Sequence, residues 1–422
     1  MAPLVSPSIS NMYYPELAHT AFVYPAIDNH AHPLLTDENR NAFPLEGITS
    51  EASGDALTSD SRYSLASYRA TLQLSKLFGL KNCEPTWNAL RNKRDDTDYL
   101  DLCNTCFKPS GIQCILLDDG LGGVADLAES IKWHDQLTSS TCKRIVRIEF
   151  EAEDIFRTML GGDAPNIPTS IVSVVSILEE FTDRFKASIL AHARDDRVAG
   201  FKSVVCYRTG LHIAPLATYE ETQRAVMDLL LQYKTSDSLR LEQKVLNDYL
   251  VRLVLQIAGE YHKPVQFHTG AGDNDIRLTK ASPAHLQSII EAYPNTPIVL
   301  LHAGYPYTRE AGYLASVYKN VYVDFGLVFP LVSGDGQRTV IRQLLELAPT
   351  NKILWSTDGH WWPETYYLAS VQARQALYEV LSDSVRREGL TEQQAVEIIR
   401  NALFHNANRL YNLGLKPNMN LL

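Results

Sequence analysis

Eight short apolar runs rich in Val, Ile and Leu recur along the chain: AFVYPAIDNHAH, IQCILLDDG, RIVRIEFEAE, VAGFKSVVCYRTG, PVQFHTG, PIVLLHAG, VYVDFG and ILWSTDG. Runs without polar alternation predict strands buried on both faces, as parallel sheets require. The segments between them have helical period. In TSIVSVVSILEEFTDRFKASIL, residues Ile171, Val174, Val175, Leu178, Phe181, Phe185 and Ile189 advance by threes and fours and form one face suited to packing on a sheet. Further helices are predicted over about 121–136, 240–262, 282–293, 309–319, 335–347, 365–388 and 391–412. Pro283 and Pro363 fall near starts, where a missing N–H is harmless, and Gly389 suits a stop.

Eight buried strands alternating with helices predict an α/β chain folded as a (β/α)8 TIM barrel, with a doubly wound open sheet as the alternative. The surplus length falls in two insertions, residues 36–110 after the first strand and 210–262 after the fourth. Within the first, SLASYRATLQLSKLFGL places Leu65, Tyr68 and Leu72 on one helical face, and PTWNALRNKRDDTDYLDLCNTCF reads as another helix. This insertion is expected to be a helical cap over the barrel mouth, so that residues 21–422 make one barrel. Residues 1–20 are expected to be a mobile N-terminal segment.

Composition narrows the classes. With 39 Lys plus Arg against 49 Asp plus Glu, the net charge of -10 disfavours nucleic acid. Six cysteines show no disulfide framework, no basic and apolar leader opens the chain, and no apolar run is long enough for a membrane span. The expectation is a cytoplasmic protein acting on a small-molecule substrate, with homo-oligomerisation left open. Cys103 and Cys106 form one C-x-x-C in helical surroundings and are set aside as a zinc or redox site. The stretch DDGLGG lacks the Gly-Lys-Ser/Thr of a phosphate loop, and Asp118 and Asp119 read as strand-end turn residues.

The chemistry falls at strand ends. The first strand ends in Asp28-Asn29-His30-Ala31-His32, the fifth in His268-Thr269-Gly270, the sixth in His302-Ala303-Gly304 and the eighth in Asp358-Gly359-His360. Residues i and i+2 of a strand point the same way, so His30 and His32 can share one ion. A barrel gathers its active site at these ends, and imidazoles plus a carboxylate suit a divalent ion, foremost Zn, with Mn or Fe as alternatives. Six other histidines, His134, His192, His212, His262, His285 and His405, read as surface or locally hydrogen-bonded residues.

This order of motifs resembles the amidohydrolase superfamily, specifically its amidohydrolase-2 branch. Within that branch it resembles the amidohydrolase domains at the N-terminus of fungal FluG and plant nodulin/glutamine synthetase-like proteins. The segments that carry the resemblance are IDNHAHPL, RIVRIE, GFKSVVCYRTGL, FHTGAGD, LLHAGYPYTREAGYLA, VYVDFG, ILWSTDGHWWPETYYLA and HNANRLYNL. In those relatives a glutamine-synthetase-like domain follows; this sequence stops at Leu422, so functions that need that domain are not expected of it.

The resemblance implies that His30, His32, His268 and Asp358 hold one metal ion. It also implies that Asp358 is the proton shuttle and that His302 is a further ligand or the base beside the ion. Such an ion lowers the pKa of bound water toward about 7 and polarises the scissile carbonyl. Lys202, in the fourth strand, is read three ways: carbamylated and bridging two ions, paired with a substrate carboxylate or a buried acid, or at the surface. One ion is preferred to two.

Arg208 and Tyr207 could grip a carboxylate, Arg208 alternatively bracing a loop. Glu149 could bind an amino group or orient a ligand. His360, Trp361, Trp362 and Glu364 could wall the pocket or pack the cap. The implied function is hydrolysis of a C–N amide bond. A gamma-glutamyl amide or isopeptide is suggested by the association with glutamine-synthetase-like domains. The alternatives are metal-dependent nonoxidative decarboxylation of a small carboxylic acid and a regulatory protein with a vestigial site.

Overall fold

The protein was analysed as a computed structural model, which describes residues 12–80, 84–122, 124, 126–161, 171–236 and 239–421. Cys83 and the first 11 residues lie outside them. The eight predicted strands form one sheet: β1 (Ala26–Ala31), β2 (Ile112–Asp118), β3 (Lys143–Arg147), β4 (Val198–Ser203), β5 (Val265–Phe267), β6 (Ile298–Leu300), β7 (Val321–Asp324) and β8 (Ile353–Leu354). Their order is sequential and every neighbouring pair is parallel. Across the seam, Asn29 N donates to Trp355 O at 3.3 Å and Asp358 N to His30 O at 3.0 Å, so β8 meets β1 and the sheet is a (β/α)8 TIM barrel.

The two sides of each strand feed different cores. Ile27, Cys114, Leu116, Ile145, Ala199, Val299 and Leu354 fill the barrel, stoppered by Phe404 and Tyr411 near the C-terminus. Residues of the other parity, such as Ile115, Leu117, Val146, Leu300 and Val323, pack under the helices. The continuous apolar runs are thereby explained.

The helices are α1 (Pro15–Val23), α2 (Leu65–Leu77), α3 (Trp87–Asp95), α4 (Tyr99–Phe107), α5 (Ile148–Leu160), α6 (Ile171–Arg194), α7 (Val205–Arg208) and α8 (Tyr219–Ser236). They continue with α9 (Lys244–Glu260), α10 (Gln287–Ala292), α11 (Thr308–Val317), α12 (Val328–Leu331), α13 (Gly334–Leu347), α14 (Pro363–Arg386), α15 (Glu392–Arg400) and α16 (Asn406–Leu410). The face predicted on α6 is the packed one, with Val174, Leu178, Phe181, Phe185 and Ile189 buried.

Four expectations need correction. Residues 15–20 are not mobile: they begin α1, which buries Leu17, Ala18 and Thr20. Among the described residues of 121–136 no α-helix forms. The backbone there instead pairs with the loop after β1, Thr36 N donating to Leu127 O at 2.8 Å and Glu129 N to Leu34 O at 2.7 Å, and only a 3-10 segment, Ile131–Leu137, follows. The third strand stops at Arg147, and Glu149 and Glu151 fall in the first turn of α5, where acidic side chains complement the helix dipole. On α2, Leu65, Tyr68 and Leu72 face outward at 69%, 53% and 45% exposure, while Ala66, Ala70 and Leu74 face in. No helix of the described residues is long and apolar enough to cross a membrane.

Candidate metal centre

The site sits at the C-terminal ends of the strands. A register irregularity between Asp28 and Ala31 interrupts β1 where His30 emerges. His30 Nε2 lies 3.2 Å and His32 Nε2 3.6 Å from Asp358 Oδ1. Among the described residues these three form the group able to hold an ion, with one ligand atom from each lying within 4.8 Å of the others. Asp358, His302 and Trp361 all adopt positive φ (51°, 66° and 57°), conformations that non-glycine residues hold only where surroundings impose them. Here the strained turns aim the side chains inward.

Beneath the cluster lies a hydrogen-bonded layer. Asn29 Nδ2 donates to Asp324 Oδ2 at 2.8 Å, Gln266 Nε2 donates to Asn29 O at 2.8 Å, and Thr357 N donates to Asp28 Oδ1 at 2.9 Å. Burial pushes the Asp28 carboxyl up to about 8 and Asp324 to about 6. His32 Nδ1 is 2.9 Å from the Asp118 carbonyl, so it donates there and leaves Nε2 free as a ligand. Burial lowers the pKa of His30, His32, His268 and His302, which keeps their rings neutral as metal ligation requires. Burial alone would raise Asp358, but the facing His302, His30 and His32 hold it well below the usual carboxylate range.

His302 and His268 stand beside this group. His302 Nδ1 is 3.9 Å from Asp358 Oδ2 and the His268 ring is 4.5 Å from the His302 ring. His268 turns Nε2 toward the Ala271 carbonyl and the Tyr207 hydroxyl, each at 3.0 Å. Lys202 is not at the surface: it is 2% exposed, with Nζ 2.7 Å from His30 Nε2 and 3.8 Å from Asp118 Oδ2. Burial brings its pKa down to about 8 against the pull of Asp118.

A cavity of about 990 Å³ opens over the cluster. His32, Lys202, Tyr207, Arg208, His268, Asp358, His360 and Trp361 line it, and Phe43, Gly47 and Ser50–Gly54 of the first insertion close it from above. The Phe43 and Trp361 rings stack at 4.1 Å.

Three residues expected at the substrate are elsewhere. The Glu149 carboxylate is buried and accepts from Ser203 Oγ at 2.6 Å and Val204 N at 3.0 Å, so it braces the end of β4. Glu364 is fully buried against Arg94, and Trp362 packs behind the pocket against Gly47. Both serve the cap and not the pocket. In the other direction, Asp118 is no mere turn residue. It takes a bidentate contact from Arg147, with Nη2 at 2.7 Å, and faces Lys202. Arg147, Glu51 and Asp273 also line the cavity, and burial together with the hydrogen-bonded Asp273 raises Glu51 well above the usual range. Asp118 could have been found by treating every strand end alike; Glu51 had no signal in its surroundings. Cys103 and Cys106 are buried free thiols, with Cys103 pushed up to about 12 by burial.

A parallel eight-stranded barrel with buried imidazoles and a carboxylate converging at its strand ends defines a metal-dependent hydrolase type of fold. Sequence comparison makes this specific: the amidohydrolase family model Amidohydro_2 matches residues 162–413, and the chain belongs to that family. It is 42% identical over 415 residues to protein fluG of Emericella nidulans, covering 95% of this chain and 47% of fluG, so the chain spans about half the length of that relative. Among solved structures, a chain from Lactobacillus casei described as a metal-dependent hydrolase superposes with a TM-score of 0.77 at 27% identity, covering 94% of this chain and 97% of that one. Glucuronate isomerase from Caulobacter crescentus shares the fold, with a TM-score of 0.62 at 15% identity and 99% coverage of each chain.

Proposed function

We propose that the protein is a metal-dependent hydrolase of a C–N amide bond, with gamma-glutamyl amides or isopeptides as its substrate class. The observation that carries this reading is the convergence of His30, His32 and Asp358 on one point beneath a large cavity. Among the described residues Asp358 Oδ1 and both ring nitrogens of His302 are buried and find no hydrogen-bond partner, as donors that await an ion would be. His30, His32 and Asp358 would hold a single ion, and His268 would complete the set once its ring leaves the Ala271 carbonyl. Nitrogen and oxygen donors suit zinc, with Mn or Fe as alternatives. When bound, such an ion supplies Lewis acidity at the carbonyl and acidifies water.

The chain's own groups carry the proton. Asp358 accepts it from the attacking water as the C–O bond forms, and returns it to the amine nitrogen as the C–N bond breaks. His302, neutral and 3.9 Å from Asp358 Oδ2, is the second candidate for that transfer. Lys202 offsets the buried charge of Asp118. Phe43 and Trp361 close the mouth against bulk water. The gamma-glutamyl assignment draws on the resemblance to domains that precede glutamine-synthetase-like partners. Five described cysteines are free thiols, which supports a cytoplasmic location. The described residues from α1 (Pro15–Val23) onward act as one barrel with its cap.

The test is a panel of gamma-glutamyl amides and aromatic acids with the metal-loaded protein, scoring amine and CO2 release. Amine release that disappears in Asp358→Asn is the expected result. CO2 release without amine would establish decarboxylation instead, and inertness of the fully loaded protein would favour a regulatory role.

A further inference from the structure

Arg208 closes α7, directly after β4, and its side chain is 17% exposed on the cavity wall. Its ion-pair contact is one long approach, Nη2 to Glu153 Oε1 at 3.4 Å. That oxygen is already engaged by Leu241 N at 2.9 Å. The buried Nε of Arg208 has no hydrogen-bond partner among the described residues. A guanidinium carries five N–H donors, and leaving buried ones unmade is costly.

Arg240 shares this wall. Its Nη2 reaches Asp275 Oδ2 at 2.7 Å, while its buried Nε, 3.3 Å from Glu242 Oε1, is not aligned for a hydrogen bond. Burial and the neighbouring Arg240 charge both lower the pKa of Arg208, as expected of two cations held close together. The same cavity is bounded by His32, His268 and Asp358.

We propose that Arg208, completed by Arg240, is an anion-binding subsite, and that the substrate carries a carboxylate at the end remote from the scissile bond. This rests on the reading of the His30, His32 and Asp358 cluster as the reacting end of the cavity. A carboxylate matches the planar fork of a guanidinium. A phosphate dianion fits less well, because Glu153 and Asp275 beside the two cations repel its second negative charge.

The test uses the metal-loaded full chain and calorimetric titration with two probes of equal length, glutaramate and its neutral counterpart glutaramide, alongside inorganic phosphate. Wild type should bind glutaramate about tenfold or more tightly than glutaramide, the range a charged hydrogen-bond pair commands. Arg208→Gln should erase this ratio, Arg208→Lys should keep part of it, and Arg240→Gln should reduce it about threefold. His30→Ala should weaken both probes and leave the ratio intact, so a failure of the hydrolase reading and a failure of the subsite are separable. Thermal unfolding checks that each variant folds; should Arg208→Gln not fold, the Arg240→Gln ratio decides. Equal affinity for the two amides in wild type, a ratio that survives Arg208→Gln or Arg240→Gln, or phosphate binding more tightly than glutaramate would overturn the proposal.

Discussion

His134 ties the loop that carries His32 to the rest of the fold, and its titration should be visible in the stability of the whole chain. Its Nε2 accepts from Leu34 N at 3.0 Å and its Nδ1 lies 2.9 Å from the Ser130 carbonyl, to which it donates. Both contacts require a neutral ring. Protonation would set an N–H on Nε2 against the N–H of Leu34. Burial accordingly lowers the pKa from 6.5 to about 4. An unfolded chain therefore takes up this proton at a higher pH than the folded one. The contribution is complete above about pH 6.5 and is lost as pH falls toward 4. At about 1.36 kcal/mol per unit, the shift corresponds to roughly 3 kcal/mol. In His134→Gln the side chain can still accept from Leu34 but no longer titrates. Urea midpoints measured from pH 7.5 down to pH 4.5 should fall more steeply for wild type than for His134→Gln, the gap between them closing by roughly 2 to 3 kcal/mol. Parallel curves for the two proteins, or an imidazole resonance of His134 that titrates near 6.5, would show that His134 is not held neutral by the fold.

Other consequences follow from close contacts. A Cβ on Gly272 would stand 2.0 Å from Tyr207 Oη and 2.8 Å from His268 Nε2, so Gly272→Ala should displace both side chains and move His268 off the cluster. Metal affinity or activity should drop by about 10- to 100-fold with the fold retained, as read by competition with a chelator. Arg94→Ala leaves Glu364 charged and unpaired in the interior and should cost about 3–5 kcal/mol in denaturant unfolding, whereas Arg94→Met combined with Glu364→Gln should recover much of it. Cys103→Ala with Cys106→Ala should leave metal stoichiometry unchanged, since both are buried free thiols apart from the cavity.

The barrel was legible because burial on both faces leaves an unbroken apolar run, and because the ligands follow those runs directly. Local pattern could not say which side of α2 would face in. Its Leu65, Tyr68, Leu72 stripe advances by three and four and Ala66, Ala70, Leu74 by fours, so either makes a helical face, and the choice is made by distant partners: Arg69 reaches Gln337 at 2.5 Å and Gln375 at 3.0 Å. The same limit applies to carboxylates. Glu149 and Glu364 look as available as Asp118 in sequence, yet two are consumed by Ser203 and Arg94, and the third organises Arg147 and Lys202 beside the cluster. A helix after β2 failed because its backbone donors and acceptors are taken by Leu34 and Thr36.

His30, His32 and Asp358 would together hold a catalytic ion. Elemental analysis of the purified chain beside His30→Ala, His32→Ala and Asp358→Asn tests this. One tightly held divalent ion per wild-type chain is expected, with its loss in all three variants, each still folded. A wild-type protein that stays metal-free after incubation with zinc, manganese and iron(II), or an ion that persists in the variants, would contradict this assignment.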